Sequence, residues 1–399
     1  MPRLADVFRQ HGPAYLARYG RALPSHRRVV HSVLACRTGA LGAQLTECSE
    51  CAGQHLVLHS CRNRVCPRCG EQQTDRWIDS QQRALLPVPY YHVVLTIPAE
   101  LRALVRQNQR PLLAAICQAA FAALAALCAD PKYLGTSRIG ALAVLHTWSR
   151  TLIWHPHVHL LVPAGGLSPD GTRWLSAARP ARRDFLVPAR ALAAGFRGRF
   201  IARLRRTLPG VELPETLWNK PWVVHIKRSL GGGTEQLLRY LGRYVHRTAM
   251  TDKRLIACDE DGVTFRYRDS HDGKHKLMRL APDEFMRRFL QHTAPRGFHR
   301  VRAYGLLHQR SRDRLRQLQL LLAVPSPTAQ TPVPTPEPEN PSSSATPPIP
   351  RRLSCPACGS TALLLVGHLS PAEVLAWRQP RGPPSPPAGP RPPPKDCRC

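Results

Sequence analysis

Two Cys-x2-Cys pairs, Cys48/Cys51 and Cys66/Cys69, stand 15 residues apart near the start of the chain, and no other feature restricts the possible folds as strongly. Four thiolates at that spacing can close one tetrahedral zinc site. Gly53 and Pro67 supply the tight turns such knuckles need, and Arg62, Arg64 and Arg68 crowd the second pair, where they can reach phosphate. Cys36 and Cys61, with His31, His55 and His59 nearby, are candidates for a second zinc site. A metal held by four thiolates has no open position, so this head is expected to bind and not to catalyse. In a long chain without a signal-like start, the 13 cysteines read as metal ligands and core thiols, not as a disulfide framework.

Lys and Arg number 57 against 26 for Asp and Glu, a formal charge of +31. A merely arginine-rich composition explains the preference for Arg over Lys but not this excess of base over acid, so the expected partner is a polyanion, nucleic acid first. No run of about 18 apolar residues is apparent and the N-terminus lacks a charged start followed by an apolar stretch. The sequence therefore predicts a soluble protein, cytoplasmic and nucleoid-associated, with no membrane partner. From residue 324 to residue 350, and again near the C-terminus, Pro, Ser and Thr dominate. Such composition cannot bury a core and predicts a disordered tail. The expected division is a zinc head over 1–85, a catalytic body over 86–322, and a Pro-rich tail with a CPxC pair over 323–399.

Between these limits strands and helices alternate. Strands are predicted at Tyr91–Ile97, Gly140–Leu145, His157–Val162, Trp222–Ile226, Val263–Arg268 and Phe298–Ala303. Helices are predicted at Pro111–Leu127, Ala191–Leu204, Glu235–His246 and Glu284–Gln291. The pattern is α+β, with a mostly antiparallel sheet flanked by helices.

Two elements within it carry chemistry. Residues 154–162 read WHPHVHLLV. Side chains two apart on a strand share a face, so His157 and His159 can present two imidazoles to one metal; His155 joins them only if the strand continues through Pro156. Further on, Tyr240 and Tyr244 are four apart on the predicted helix, with Arg239, Arg243 and Arg247 at the same interval. A face bearing two phenols and three guanidiniums suits a phosphodiester, although half-buried structural tyrosines are the commoner arrangement. A tyrosine hydroxyl, with a pKa of about 10, attacks phosphorus poorly unless phosphate charge is offset and the leaving oxygen stabilised. A divalent ion such as Mg²⁺ or Mn²⁺ does both.

The sequence resembles the rolling-circle insertion-sequence transposases of the HUH superfamily, in particular the two-tyrosine insertion-sequence ninety-one family with its zinc-binding N-terminal domain. The resemblance is carried in order by CRTGALG (36–42), SCRNRVCPRCG (60–70), HTWSRTLIWHPHVHLLVPAGGLSPDG (146–171) and KPWVVHIKRSLGGGTEQLLRYLGRYVHR (220–247). One departure is Val65, where many relatives carry His. The resemblance implies a metal on His157 and His159, and Tyr240 and Tyr244 as nucleophiles that nick and transfer single-stranded DNA at transposon ends and target. Gln236, one turn before Tyr240, is the preferred third ligand, with Glu235 the alternative. Competing readings are a replication initiator or relaxase with the same chemistry, and a non-catalytic zinc-finger DNA-binding protein. The charge predicts that DNA affinity falls steeply between low and physiological salt through counterion release, as a filter-binding titration would measure; a flat response contradicts it.

Overall fold

Strand-forming and helix-forming runs alternate as the sequence predicts, in a computed structural model that describes residues 2–19, 24–70, 85–177, 186–228, 248–269, 271–323 and 354–378. In chain order the helices are α1 (Leu4–Arg18), α2 (Pro24–Ala35), α3 (Arg102–Gln107), α4 (Gln109–Cys128), α5 (Ala189–Thr207), α6 (Pro282–Leu290), α7 (Arg312–Ala323) and α8 (Pro371–Arg378). The strands are β1 (Ala43–Cys48), β2 (Gln54–Leu58), β3 (Tyr90–Thr96), β4 (Gly140–Trp148), β5 (Trp154–Pro163), β6 (Gly165–Leu167), β7 (Trp174–Ser176), β8 (Val224–Arg228), β9 (Leu255–Cys258), β10 (Val263–Arg268), β11 (His275–Leu280), β12 (Val301–Gly305) and β13 (Leu363–Leu369). The Glu235–His246 segment expected as a helix lies outside the described residues.

The chain divides into two units, Met1–Leu34 with Arg62–Pro347 and Ala35–Cys61 with Pro348–Cys399. In the smaller unit the sheet order is β13-β1-β2, all antiparallel. Strand β1 pairs with β2 from Ala43↔Leu58 to Glu47↔Gln54, and with β13 from Ala43↔Leu369 to Cys48↔Leu363. Residues 354–378, expected within a structureless tail, therefore form a strand and a helix. The physical reason is that β1 beside β2 alone would leave a row of unpaired N–H and C=O groups along one edge, and the β-prone LLLVGHL segment fills it.

The larger unit is built on a five-stranded antiparallel sheet of order β12-β4-β5-β3-β8. Alternation assigns each strand a helix side and an open side. On the helix side Val93 and Leu95 of β3, Ala141, Ala143 and Leu145 of β4, and Val158, Leu160 and Val162 of β5 are buried with Leu112, Ile116, Ala120 and Leu124 of α4 and Leu192, Phe196 and Phe200 of α5. Each large aliphatic or aromatic side chain so buried contributes roughly 1.5–3 kcal/mol. Among the described residues one helix, α4, is long and apolar enough to cross a membrane, although no apolar run of that length is expected from the sequence. Here its apolar side chains fill the core. Helix α5 turns Leu192, Phe196, Phe200 and Leu204 inward, four residues apart. A smaller sheet, β11-β10-β9, completes the elements of this unit together with α1 and α6, where the ring of Phe8 meets that of Phe289 edge-on at 5.5 Å.

Edge strand β12 ends at Gly305 (φ +56°), where a Cβ would lie 1.9 Å from the Ile139 carbonyl oxygen. Gly210 also has a left-handed backbone (φ +75°), but a Cβ there would meet nothing within 4 Å. Gly210→Ala should cost about 1–2 kcal/mol for the backbone conformation alone. Gly305→Ala should lower the melting temperature much further, since backbone must move; equal shifts in a thermal melt would contradict this close packing.

Candidate metal centre

The open side of the five-stranded sheet is lined with histidines, and register explains why. Antiparallel pairing sets His146 of β4 opposite His157 of β5 and Val144 opposite His159; on the other flank Thr96 and Val94 of β3 face the same two histidines. Side chains paired across strands share a face. His146, His157 and His159 therefore converge, each offering one ring nitrogen, and these nitrogens all lie within 4.8 Å of one another. Ring centroids are 4.5 Å apart for His146 and His159, 4.9 Å for His157 and His159, and 5.4 Å for His146 and His157. His146 is buried and stacks on Trp148 at 4.6 Å.

A turn fixes this register. Between β4 and β5 the Ser149 hydroxyl accepts from the amides of Thr151 and Ile153, and Leu152 takes a left-handed conformation (φ +64°) that a branched side chain rarely adopts. Leu152 is fully buried, and its carbonyl accepts from Gln291 Nε2 at 2.9 Å and His292 Nε2 at 3.0 Å. His292, pushed down to about 3 by burial, is a neutral donor there. The hairpin is thus clamped at its tip.

Tautomers follow from neighbouring hydrogen bonds. His157 Nδ1–H donates to the His155 carbonyl at 2.7 Å, which leaves its Nε2 lone pair for a ligand. His159 Nδ1 lies 2.9 Å from His92 Nε2, and the two rings stack with centroids 5.1 Å apart. Burial, then the Lys227 charge, pushes His92 down to about 4, so it is neutral and can accept a hydrogen bond from His159 Nδ1–H. Three imidazoles whose ring nitrogens converge form a donor set that fits a divalent transition ion.

The structure brings together His157 and His159, the pair singled out in the sequence. Strand β5 does run back through Pro156, whose missing N–H is tolerated because pairing with β3 ends at Thr96↔His157 and the β4–β5 ladder is irregular between His146 and Trp148. His155 reaches the same face, its ring 5.4 Å from that of His157, but the third converging imidazole is His146. Burial, then the neighbouring His157 and Arg102, pushes His155 down to about 4. Sequence reasoning missed His146 because the strand was ended at Leu145, one residue short, and missed His92 because β3 was read only for its apolar residues. Gln236, Glu235, Tyr240, Tyr244, Arg239, Arg243 and Arg247 lie outside the described residues.

The sequence joins Cys48 and Cys51 with Cys66 and Cys69; within the smaller unit Cys48 and Cys51 meet Cys355 and Cys358 of the C-terminal CPxC pair. Spacing alone made the nearer pair the natural partner, whereas pairing of β13 with β1 brings the distant pair to the end of β1. Cys66 and Cys69 are buried in the larger unit, while Cys36 and Cys61 stand at the two ends of the 35–61 segment. Within the larger unit Arg62 and Arg64 line a cavity of about 570 Å³ with Arg28, Arg296 and Arg300. Arg64 donates to the Phe298 carbonyl at 2.6 Å, and Arg300, lowered to about 10 mainly by burial, donates to the Arg64 carbonyl at 3.1 Å.

Comparison with known proteins places the chain in a family. Residues 140–314 match a family described as "Putative transposase", and residues 7–97 match the "Transposase zinc-binding domain" family. The "Putative transposase y4qJ" of Sinorhizobium fredii (strain NBRC 101917 / NGR234) is 38% identical over 331 residues, which cover 78% of this chain and 82% of that protein. The "Transposase for insertion sequence element IS801" of Pseudomonas savastanoi pv. phaseolicola is 31% identical over 327 residues, 74% of each chain.

The geometry separates ligands from neighbours. His146→Ala should weaken Mn²⁺ binding as severely as His157→Ala, while His92→Ala should cost about 10–100-fold as an orienting partner. His155→Ala should change little, because it is the backbone carbonyl of His155 that holds His157. Calorimetric titration of the folded variants checks the order; unaltered affinity in His146→Ala contradicts the three-histidine set.

Proposed function

The chain belongs to the IS91-type transposase family, and on that premise we propose that it nicks single-stranded DNA and transfers it through a covalent 5′-phosphotyrosine link during rolling-circle transposition. The observation that carries the reading is the convergence of His146, His157 and His159 on one face of the central sheet. These three would hold a divalent ion, which when bound supplies Lewis-acid polarisation of a phosphate oxygen. Three imidazoles suit Mn²⁺ better than Mg²⁺, which favours oxygen donors. Gln236 then becomes an additional oxygen donor and not a required third ligand.

Tyr240 and Tyr244 are assigned as nucleophiles. The hydroxyl oxygen of one bonds to phosphorus, the P–O3′ bond breaks, and the tyrosine proton is balanced by protonation of the departing 3′ oxygen. The phosphodiester bond energy is retained in the phenol ester, so a 3′-hydroxyl of another strand can reverse the step and rejoin DNA. A second tyrosine permits a second transfer before the first link is resolved. Arg239, Arg243 and Arg247, on the tyrosine helix read from the sequence, hold the backbone, and Arg62, Arg64 and Arg68 extend the cationic surface that binds the DNA. Structural zinc on the head accords with the zinc-binding family match over residues 7–97, within which Cys36, Cys48, Cys51, Cys61, Cys66 and Cys69 all fall.

Incubation with a single-stranded oligonucleotide from the element's end should give a protein–DNA adduct, with more product in Mn²⁺ than in Mg²⁺. Tyr240→Phe or Tyr244→Phe should reduce the adduct or shift it to the remaining tyrosine, and the double change should abolish it in a folded protein. Full adduct from the double variant would refute the nucleophile assignment.

A further inference from the structure

Cys48 and Cys51 belong to the family's zinc-binding segment, but their sulfur partners do not: the zinc-binding match ends at residue 97 and the transposase match at residue 314. Cys48 Sγ lies 3.6 Å from Cys358 Sγ, and Cys51 Sγ lies 3.6 Å from Cys355 Sγ. A sulfur–sulfur bond requires about 2.05 Å, so these are not disulfides. Four sulfurs at ~2.3 Å from one zinc stand about 3.8 Å apart, close to the separations seen. All four are free cysteines whose sulfurs lie mutually within 4.8 Å.

The backbone around them has the form of two facing knuckles. Amides two residues on hydrogen bond to the second sulfur of each pair, Gly53 to Cys51 and Ser360 to Cys358, and those of Ala357 and Cys358 point at Cys355. His55 Nε2 sits 3.1 Å from Cys355 Sγ. Each knuckle terminates a strand ladder: Cys48 ends β1 opposite Leu363 of β13, and Ser49 N donates to the Ala362 carbonyl at 3.0 Å. The pairing that completes the sheet is therefore the pairing that assembles the thiols.

We propose that Cys48, Cys51, Cys355 and Cys358 bind one structural zinc ion, so that the zinc-binding head is completed by the C-terminal segment of the same chain, across a sequence separation of 304 residues between Cys51 and Cys355. Binding replaces four S–H groups by four Zn–S bonds and releases the protons to solvent. The segment after the Pro-rich stretch is then an integral half of the head. The proposal is independent of the phosphotyrosine chemistry.

Two measurements on the full chain test it. In the unaltered protein, alkylation of Cys48, Cys51, Cys355 and Cys358, mapped by mass spectrometry, should be slow with zinc bound, accelerate together on chelation, and slow again when zinc is returned. Equal alkylation of Cys355 and Cys358 with and without zinc, or their recovery as disulfides, overturns the proposal. In the variant carrying Cys355→Ser and Cys358→Ser, zinc content should fall by one equivalent per chain while adduct formation by the metal-dependent body persists. Cys358→His, which keeps a ligand, should recover the lost equivalent. Unchanged zinc content in the folded double variant overturns the assignment without touching the nuclease reading.

Discussion

The antiparallel register between β4 and β5 is the constraint from which the candidate site follows. One step of slippage would turn His146 away from His157 and send the apolar residues of one strand to the open side. That slip is opposed from both directions. The helix side buries Ala143, Leu145, Val158 and Leu160 under α4 and α5, and the hairpin tip is held by two side-chain donors on the carbonyl of Leu152. The left-handed backbone at Leu152 shows how tightly the connection is determined, since such a conformation in a non-glycine residue persists only where its surroundings enforce it.

A sheet with one apolar and one histidine-rich face incurs a desolvation cost on the second face, which hydrogen bonds offset. His157 is turned by a neighbouring carbonyl and His159 by His92, itself kept neutral by burial. Neutral imidazoles are what a metal requires, and the neutral ring of His92 can orient His159 for that role. The same logic governs the smaller unit, where completing the sheet edge and assembling four thiols are one event.

Much of this was legible in the sequence. The strands expected at 91–97 and 157–162 and the helix expected at 111–127 followed from β-branched runs and apolar periodicity and are found at 90–96, 154–163 and 109–128, and His157 and His159 followed from alternation along one strand. His146 required knowledge of a second strand and of the turn between: with β4 extended through Trp148 and a turn over 149–153, antiparallel pairing alone puts residue 146 opposite 157. The thiol partners were less accessible. Two nearby Cys-x2-Cys pairs satisfy zinc geometry as well as two distant ones do, and only the edge pairing of β13, separated from β1 by the whole catalytic body, decides between them. The tyrosine helix rests on sequence and family membership.

The proposed metal centre requires His146 as its third imidazole. Pulsed electron paramagnetic resonance of the Mn²⁺-loaded protein, with nitrogen-15 in its histidines, counts directly bound imidazole nitrogens. Three coupled nitrogens, falling to two in His146→Ala, is the result expected from the convergence of His146, His157 and His159. Two coupled nitrogens in the unaltered protein, unaffected by that substitution, would contradict it.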